Sequence, residues 1–376
     1  MEKQLNIEKL EASMVERGLN QAALAKGLGV SRTIISDWLK GSKFPRPDKL
    51  LKLGMTLGLP FSELVIKSTL NEPIVAFRKK GGRKTKDTHF ERAKDMGRLL
   101  ESLTPYLPFS SLTHPPSLKN PHIEYEYIQE VVKSVRADIG ISATEPIKFD
   151  NFIQKFKEFD VILIPVLWGR KDNHENALHI HLPESGTTWI YLNLDSNFHD
   201  FNFWMSHELG HVLSQKFQGE EAEDLADFFA QALLFPEECA EKLYNEINCI
   251  PNVGIRIRKI IEKADEYDIS PITVMASINS FSKNRNFPEI NLGNGIYAAT
   301  TNFNKGFLNI SDSLVKKGKK LTARDYIDAA QNVFKSQFFQ ILERFLSENE
   351  KSPGFIQNIL QVDFVDARGI YKELTL

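Results

Sequence analysis

The sequence predicts a multidomain protein that is mainly α-helical and contains a small β-sheet. Within the first 70 residues, apolar residues at helical spacing are interrupted by a glycine turn. Further along, the apolar runs 161–166, 177–182 and 187–194 are bounded by turn residues, which is typical of strands. Most of the remaining chain again has apolar residues at helical spacing. At 376 residues the chain is long enough for two or three domains with separate cores.

The first 70 residues contain the signals of four helices. Asn20 and Ser31 are suited to cap the second and third helices, because their side chains accept backbone hydrogen bonds. The turn between these helices is Gly27-Leu-Gly-Val30, since glycine adopts positive φ without steric cost. The predicted helices are 7–15, 21 to about 26, 32–40 and a fourth from 47. A helix, a short glycine turn and a capped helix form the helix-turn-helix pattern.

The third predicted helix has one apolar side and one polar side. Ile35, Trp38 and Leu39 fall on the side that faces a core, and the polar side is free for a DNA major groove. We expect Asp37 to pair with Lys40 or Arg32. The alternative is a plain helical bundle whose charges are solvated. The candidate DNA contacts are Gln21, which is placed for a phosphate, with Ser31, Arg32, Thr33, Ser36 and Lys40.

The string LNQAALAKGLGVSRTIISDWLKGSKFPRPDKLLKLGMTLGL resembles the XRE (Cro-repressor-type) helix-turn-helix family over roughly residues 7–65. The resemblance implies an all-α, lambda-repressor-like domain over residues 1–70. It also implies a double-stranded DNA operator as a partner and a role in transcription regulation.

Charge is distributed unevenly along the chain. Residues 1–102 have a net charge of +8 and the rest has −10, so we expect the N-terminal part to meet a polyanion. Residues 71–122 are predicted to be a basic linker and a connecting helix. Within them, Phe77–Lys86 carries six Lys or Arg and two glycines, which indicates an arm that either contacts phosphates or is simply solvated.

The most informative motif is His207-Glu-Leu-Gly-His211. Residues four apart share a helix face, so His207 and His211 can direct their imidazoles at one metal ion. Glu208 projects beside the same place, where it can take a proton from water. The alternative is two core histidines that share a helix by chance.

A second helix over residues 219–236 is expected to supply the third ligand, because catalytic zinc takes three protein ligands and leaves one position open. Glu223 is the preferred ligand, since Asp227 lies one turn further on the same face and can accept the spare N–H of a ligating histidine. The competing acids are Glu220, Glu221 and Asp224, and acids at a helix start are often merely solvated.

FWMSHELGHVLSQ, followed closely by EDLADFFAQALLFP, resembles the ImmA/IrrE family of bacterial metallopeptidases over roughly residues 125–280. The resemblance implies one Zn²⁺ per chain at His207, His211 and Glu223, with Glu208 as general base. The Glu223-x-x-x-Asp227 spacing is similar to that of thermolysin-like gluzincins, which implies an α+β gluzincin-like metallopeptidase domain over residues 123–285. The implied substrate is a protein, typically a helix-turn-helix repressor, cut in a stress, phage or mobile-element response.

Because this chain has its own predicted DNA-binding domain, the cleaved repressor could be the chain itself or a second copy, cut near residues 70–120. The predicted sheet could hold an extended peptide by strand addition at its edge. Spare histidines near the motif are more often strand or surface residues than ligands, although one of them, or Tyr191, could stabilise an oxyanion. These histidines are His174, His179, His181 and His199.

Residues 286–376 are predicted to form a mostly helical C-terminal region of unknown role. The sequence predicts a helix over 322–346, and short strands and turns over 291–310. Phe334, Phe338, Phe339, Leu342 and Phe345 form an apolar stripe at helical spacing, which indicates a core or a dimer interface. A homodimer is the expected assembly.

Composition bounds the function further. Cys239 and Cys249 are the two cysteines, which suits a reducing cytoplasm and excludes a cysteine-built zinc site. With no long apolar run, we expect a cytoplasmic protein and no membrane partner. The competing hypothesis is a non-catalytic repressor or antitoxin whose zinc domain senses a ligand or scaffolds a partner. A third is an enzyme whose helix-turn-helix makes protein contacts alone.

Overall fold

A computed structural model describes residues 3–40, 43–67, 72–76, 87–108, 115–168, 177–195, 198–215, 217, 219–307, 309–314 and 321–376. The chain divides into two compact units, Met1–Glu72 and Pro73–Leu376. The basic segment 77–86, predicted to be an arm that either contacts phosphates or is simply solvated, lies outside the described residues.

The N-terminal unit packs its helices around one apolar core that includes Leu24, Ile35, Trp38 and Leu53. Two short strands pair antiparallel at its chain ends, with Leu5 opposite Val65. The expectation of an all-α domain therefore missed a small ribbon, because three-residue strands are too short to show alternation. Its elements are β1 (Lys3–Leu5), α1 (Ile7–Glu16), α2 (Gln21–Leu28), α3 (Arg32–Leu39), α4 (Pro47–Leu57), α5 (Phe61–Leu64) and β2 (Val65–Lys67).

Side-chain caps set the starts of α2 and α3. Asn20 Oδ1 accepts from the backbone N–H of Ala23 at 2.9 Å, and Ser31 Oγ accepts from that of Ile34 at 3.3 Å. The glycine turn is shorter than predicted, since α2 continues through Leu28 and Gly29 alone takes a positive φ, +63°.

A four-stranded sheet lies at the centre of the second unit, and its strands in spatial order are β3 (Ile74–Ala76), β5 (Ala177–Leu182), β6 (Thr187–Asn193) and β4 (Ile162–Val166). All pairs are antiparallel except β4 with β6. Three of the strands were predicted; β3 was not, because it is three residues long and lies in the region assigned to the linker. Since β3 pairs with β5, the outer edge of β5 is occupied by the chain itself.

Helices cover both faces of this sheet. Strand residues alternate between the faces: Leu163 and Ile190 join one core, and Ile164 and Trp189 join the other. The helices are α6 (Asp87–Glu101), α7 (Tyr125–Ile139), α8 (Phe149–Glu158), α9 (Phe198–Leu213), α10 (Glu220–Leu234), α11 (Glu237–Asn248), α12 (Val253–Glu266), α13 (Pro271–Asn284), α14 (Gly295–Asn304), α15 (Ile310–Ser313), α16 (Ala323–Asn332), α17 (Phe338–Asn349), α18 (Pro353–Leu360) and α19 (Phe364–Thr375).

The C-terminal region differs from its prediction in two places. Residues 295–304 form α14 rather than strands and turns, because Ile296 and Thr300 are buried and tertiary packing outweighs weak helix propensity. The predicted helix 322–346 is divided into α16 and α17, and Lys335 between them has φ +51°. The apolar stripe from Phe334 to Phe345 is buried core within this unit.

In the described part of the chain, no helix is both long enough and apolar enough to traverse a bilayer.

Burial of the C-terminal helices against the sheet predicts a stability effect. Leu342 is fully buried in the core that includes Trp189 and Ile164, so we expect Leu342→Ala to lower the free energy of unfolding by roughly 2–5 kcal/mol. The control is Val365→Ala on α19, whose side chain is 77% exposed and whose loss should cost less than about 0.5 kcal/mol. Urea denaturation followed by tryptophan fluorescence measures both; equal values for the two variants would contradict this packing.

Candidate metal centre and nucleic-acid interface

Close packing of α9 against α10 brings the motif histidines next to the acidic helix. Gly210 makes this approach feasible: a Cβ there would lie 3.2 Å from Ala226 Cα and 3.1 Å from Phe229 Cδ1. On the other sides of α9, Met205 and Leu209 are buried in the core. The histidine face of α9 is thereby held against α10.

Three side chains from these two helices converge on one small volume. The Nε2 atoms of His207 and His211 are 3.0 Å apart, and each lies 3.4 Å from a carboxylate oxygen of Glu223. One potential ligand atom from each residue lies within 4.8 Å of the others. Both histidines are buried, and the Glu223 side chain is 12% exposed.

The competing acids on α10 do not reach this volume. Glu220, Glu221 and Asp224 are exposed, as expected for solvated acids in the first turns of a helix. In the part of the chain that the structure describes, His207, His211 and Glu223 are the residues that meet the geometry of a metal site.

Asp227 lies next to His207, one turn beyond Glu223. Its Oδ1 is 2.9 Å from His207 Nδ1. A carboxylate accepts, so Nδ1 carries a proton and Nε2 is the nitrogen that faces His211 and Glu223 and can bind a metal ion once it is deprotonated. Asp227 thus selects the tautomer that a metal ligand needs.

The electrostatics of the cluster favour a cation. Burial alone would raise the pKa of Glu223, but its contacts with His207 and His211 outweigh this and lower it to about 2. Burial lowers the pKa of His207, whereas its contacts with Asp227 and Glu223 raise it to about 9. Burial also lowers the pKa of His211. A negative, dehydrated cluster of this kind takes up either a proton or a metal ion.

The donor set suits zinc. Two imidazole nitrogens and one carboxylate oxygen are the ligands of one class of catalytic zinc site, with the fourth position open. Moreover, Glu223 Oε2 is buried without a hydrogen-bond partner among the described residues, which is costly unless a positive charge, on His207 or on a bound metal ion, lies beside it.

Glu208 is buried beside the cluster. Burial raises the pKa of its carboxyl to about 7. Its Oε2 has no hydrogen-bond partner in the described residues and lies 3.4 Å from Nδ1 of His179 on β5. A carboxyl whose pKa is near neutrality can both accept and release a proton.

Of the spare histidines, the structure brings His179 to the site. Burial lowers its pKa to about 4, so its imidazole is neutral at neutral pH. His181 contacts Thr188 Oγ1 at 3.0 Å, and Tyr191 donates to the carbonyl of Ile359 on the opposite face of the sheet. His174 and the side chain of His199 lie outside the described residues. Of the four spare histidines, the sequence alone could have singled out His179 and His181 as a pair, because residues two apart in a strand share a face.

The polar side of α3 carries the predicted DNA contacts. Ser31, Arg32, Thr33 and Lys40 are exposed, and Gln21 and Ser36 are partly buried, while Ile35 and Trp38 hold α3 on its core.

Asp37 is paired differently from the expectation. Its carboxylate accepts from Lys43 Nζ at 2.8 Å, so the predicted pairing with Lys40 or Arg32 was wrong. Because Lys43 follows the end of α3, it can reach the carboxylate from beyond the helix. Arg32 and Lys40 thus lie on the polar side of α3 without an ion pair to Asp37.

The fold of the N-terminal unit agrees with the comparison with known proteins. Residues 10–64 match the family model described as helix-turn-helix. The N-terminal unit is a helix-turn-helix domain. The chain is also 36% identical over 63 residues to the cryptic phage CTXphi transcriptional repressor RstR of Vibrio cholerae. This match covers 17% of the chain and 57% of that protein, so the chain spans little more than half the length of this curated relative.

The helix-turn-helix prediction is therefore confirmed. The family match ends at residue 64, before the His207–His211 motif begins. The ImmA/IrrE resemblance of residues 125–280 stays a prediction.

Proposed function

We propose that the chain is a DNA-binding transcriptional regulator that carries a zinc-dependent endopeptidase. The observation that best supports the proposed peptidase activity is the convergence of His207, His211 and Glu223, with the carboxyl of Glu208 buried beside them. A structural core gains nothing from three buried ionisable groups beside a fourth, Glu223, that is only 12% exposed, because their desolvation is costly.

The helix-turn-helix domain supports the DNA-binding part. Its α3 presents Arg32, Thr33 and Lys40 to solvent, as a helix that enters the major groove must. The matched relative is named as a transcriptional repressor. We therefore propose a double-stranded DNA operator as the partner of this unit, bound by a homodimer.

For the peptidase, His207, His211 and Glu223 would hold zinc. A bound zinc ion supplies Lewis-acid chemistry: it polarises a carbonyl group and lowers the pKa of water. Asp227 keeps His207 in the ligating tautomer through the contact at Nδ1. Glu208 accepts a proton from the attacking water on its carboxylate and passes it to the nitrogen of the leaving amine. Burial of the site excludes bulk water from these groups.

The proposed substrate is a protein, either another helix-turn-helix repressor or this chain. Covalent linkage of the DNA-binding unit to the peptidase raises the effective concentration of one near the other. Cleavage near residues 70–120 would separate the DNA-binding unit from the rest and relieve repression.

The proposed site at His207, His211 and Glu223 predicts how much zinc the purified protein contains. We expect about one zinc per chain after purification without added metal, and its loss in His207→Ala and Glu223→Ala, because each variant removes one of three ligands. Glu221→Ala on the same helix is the matched control, since Glu221 is exposed and should leave zinc unchanged. Inductively coupled plasma mass spectrometry measures the content. A wild type that takes up no zinc, even when zinc is offered, would refute the peptidase.

If Glu208 is the general base, its substitution should stop cleavage without affecting the binding of zinc or DNA. Glu208→Gln keeps the shape of the side chain but not its basicity, so zinc content and DNA affinity should persist while cleavage falls by about 10²–10⁴-fold. Intact-mass spectrometry of the zinc-loaded full-length chain detects cleavage, and Glu208→Gln protein mixed with wild type shows whether one copy cuts another. Wild-type regulation by Glu208→Gln in a reporter strain would favour the non-catalytic repressor or antitoxin instead.

If the polar side of α3 contacts DNA, substitutions on it should lower the affinity for DNA. Arg32→Ala combined with Ser36→Ala should weaken binding by roughly 1–3 kcal/mol, because it removes contacts to bases or phosphates. Lys9→Ala is the control: it removes the same charge from α1, where Lys9 pairs with Glu63 at 3.1 Å. Affinities are measured by fluorescence anisotropy, at several salt concentrations, on a duplex selected from a random library. Equal losses in both variants would mean that α3 is not the DNA-reading helix.

A further inference from the structure

His179 is a buried residue whose polar ring nitrogen faces the proposed general base. Its side chain is 4% exposed and that of Glu208 is 3% exposed. The Nδ1 atom of His179 and the Oε2 atom of Glu208 lie 3.4 Å apart, and neither has a hydrogen-bond partner among the described residues.

Leaving both atoms unpartnered would be unfavourable. An unsatisfied buried polar group costs about 1–3 kcal/mol, and a charged one costs more. The separation is near the upper limit of hydrogen-bond distance, so a small rotation of the imidazole lets Nδ1–H donate to the carboxylate. That one bond would satisfy both atoms.

The backbone of His179 is held in place on both sides. It lies opposite Ala76 of β3 and opposite Ile190 of β6 in antiparallel pairs. A residue inside a strand with neighbours on both edges has little freedom to move. The Glu208 side chain, in contrast, has three rotatable torsions and depends on a neighbour for a single orientation.

We propose that His179 is a positioning residue for Glu208: its imidazole Nδ1–H donates to the carboxylate and holds that carboxylate beside the three metal-ligating side chains. The inference rests on the proposed peptidase function for its purpose. The hydrogen bond itself is a property of the chain with or without a metal.

The ring of His179 also lies near His211, with their centroids 5.6 Å apart. His179 is not a fourth ligand of the cluster, whose converging atoms come from His207, His211 and Glu223. Its Nδ1 faces Glu208 instead. This geometry separates its role from that of the ligands: loss of His179 should leave the metal in place.

The hydrogen bond is tested on the metal-free, full-length chain labelled with ¹⁵N-histidine. We expect the long-range ¹H–¹⁵N spectrum to show His179 protonated at Nδ1, with a resonance that shifts in Glu208→Ala and stays unchanged in Glu221→Ala. Protonation at Nε2, or a resonance that ignores Glu208→Ala, would overturn the proposal. This measurement needs neither zinc nor a substrate.

The functional consequence is tested with zinc-loaded protein, using the full-length Glu208→Gln chain as substrate in trans. His179→Ala should lower kcat by about 10- to 100-fold with little change in KM and unchanged zinc content. His179→Asn places an amide N–H near the position of Nδ1 and should restore most of the rate, whereas His179→Gln extends the amide to the position of Nε2 and should not. Equal rates for the Asn and Gln variants would contradict positioning through Nδ1.

The two proposals fail in different ways. Absence of zinc and of cleavage in the wild type would refute the peptidase, and the spectrum would still decide whether His179 bonds to Glu208. An active wild type with full activity in His179→Ala would refute the positioning role alone.

Discussion

The second unit depends on the contact between α9 and α10. Each helix alone is unsuited to burial, since α9 carries His207, Glu208 and His211 and α10 begins with a run of acids. Packed together, they place cationic and anionic groups against each other and compensate much of the desolvation cost. Gly210 permits the close approach by leaving no side chain between the helices. A metal ion bound there would add its own attraction to both helices.

The sheet links this contact to the rest of the unit. One face supports α9 and its neighbours, and the other is covered by α6 and the C-terminal helices, with residues such as Trp189 and Leu342 in a second core. The C-terminal region is therefore part of the support for the site rather than an appendage. The edge strand β3 follows directly after the helix-turn-helix unit in the chain and pairs beside His179.

Burial explains the chemistry of the site. The same loss of water that raises the pKa of Glu208 to about 7 lowers that of His179 to about 4, because burial disfavours the charged form of each group. A carboxyl that titrates near neutrality beside a neutral imidazole is suited to accept and release a proton. Glu221 on α10 is exposed to solvent and lacks this buried environment.

The amino-acid sequence by itself determined the local features: the caps at Asn20 and Ser31, the three longer strands of the sheet, and the spacing that puts His207 and His211 on one helix face. These follow from interactions within a few residues, which a sequence pattern records. Tertiary structure decided which acid of α10 meets the histidines, which spare histidine reaches Glu208, and that residues 74–76 belong to the sheet. It also decided that residues 295–304 form a helix. Such outcomes depend on contacts between residues distant in the chain, whose geometry no local pattern contains.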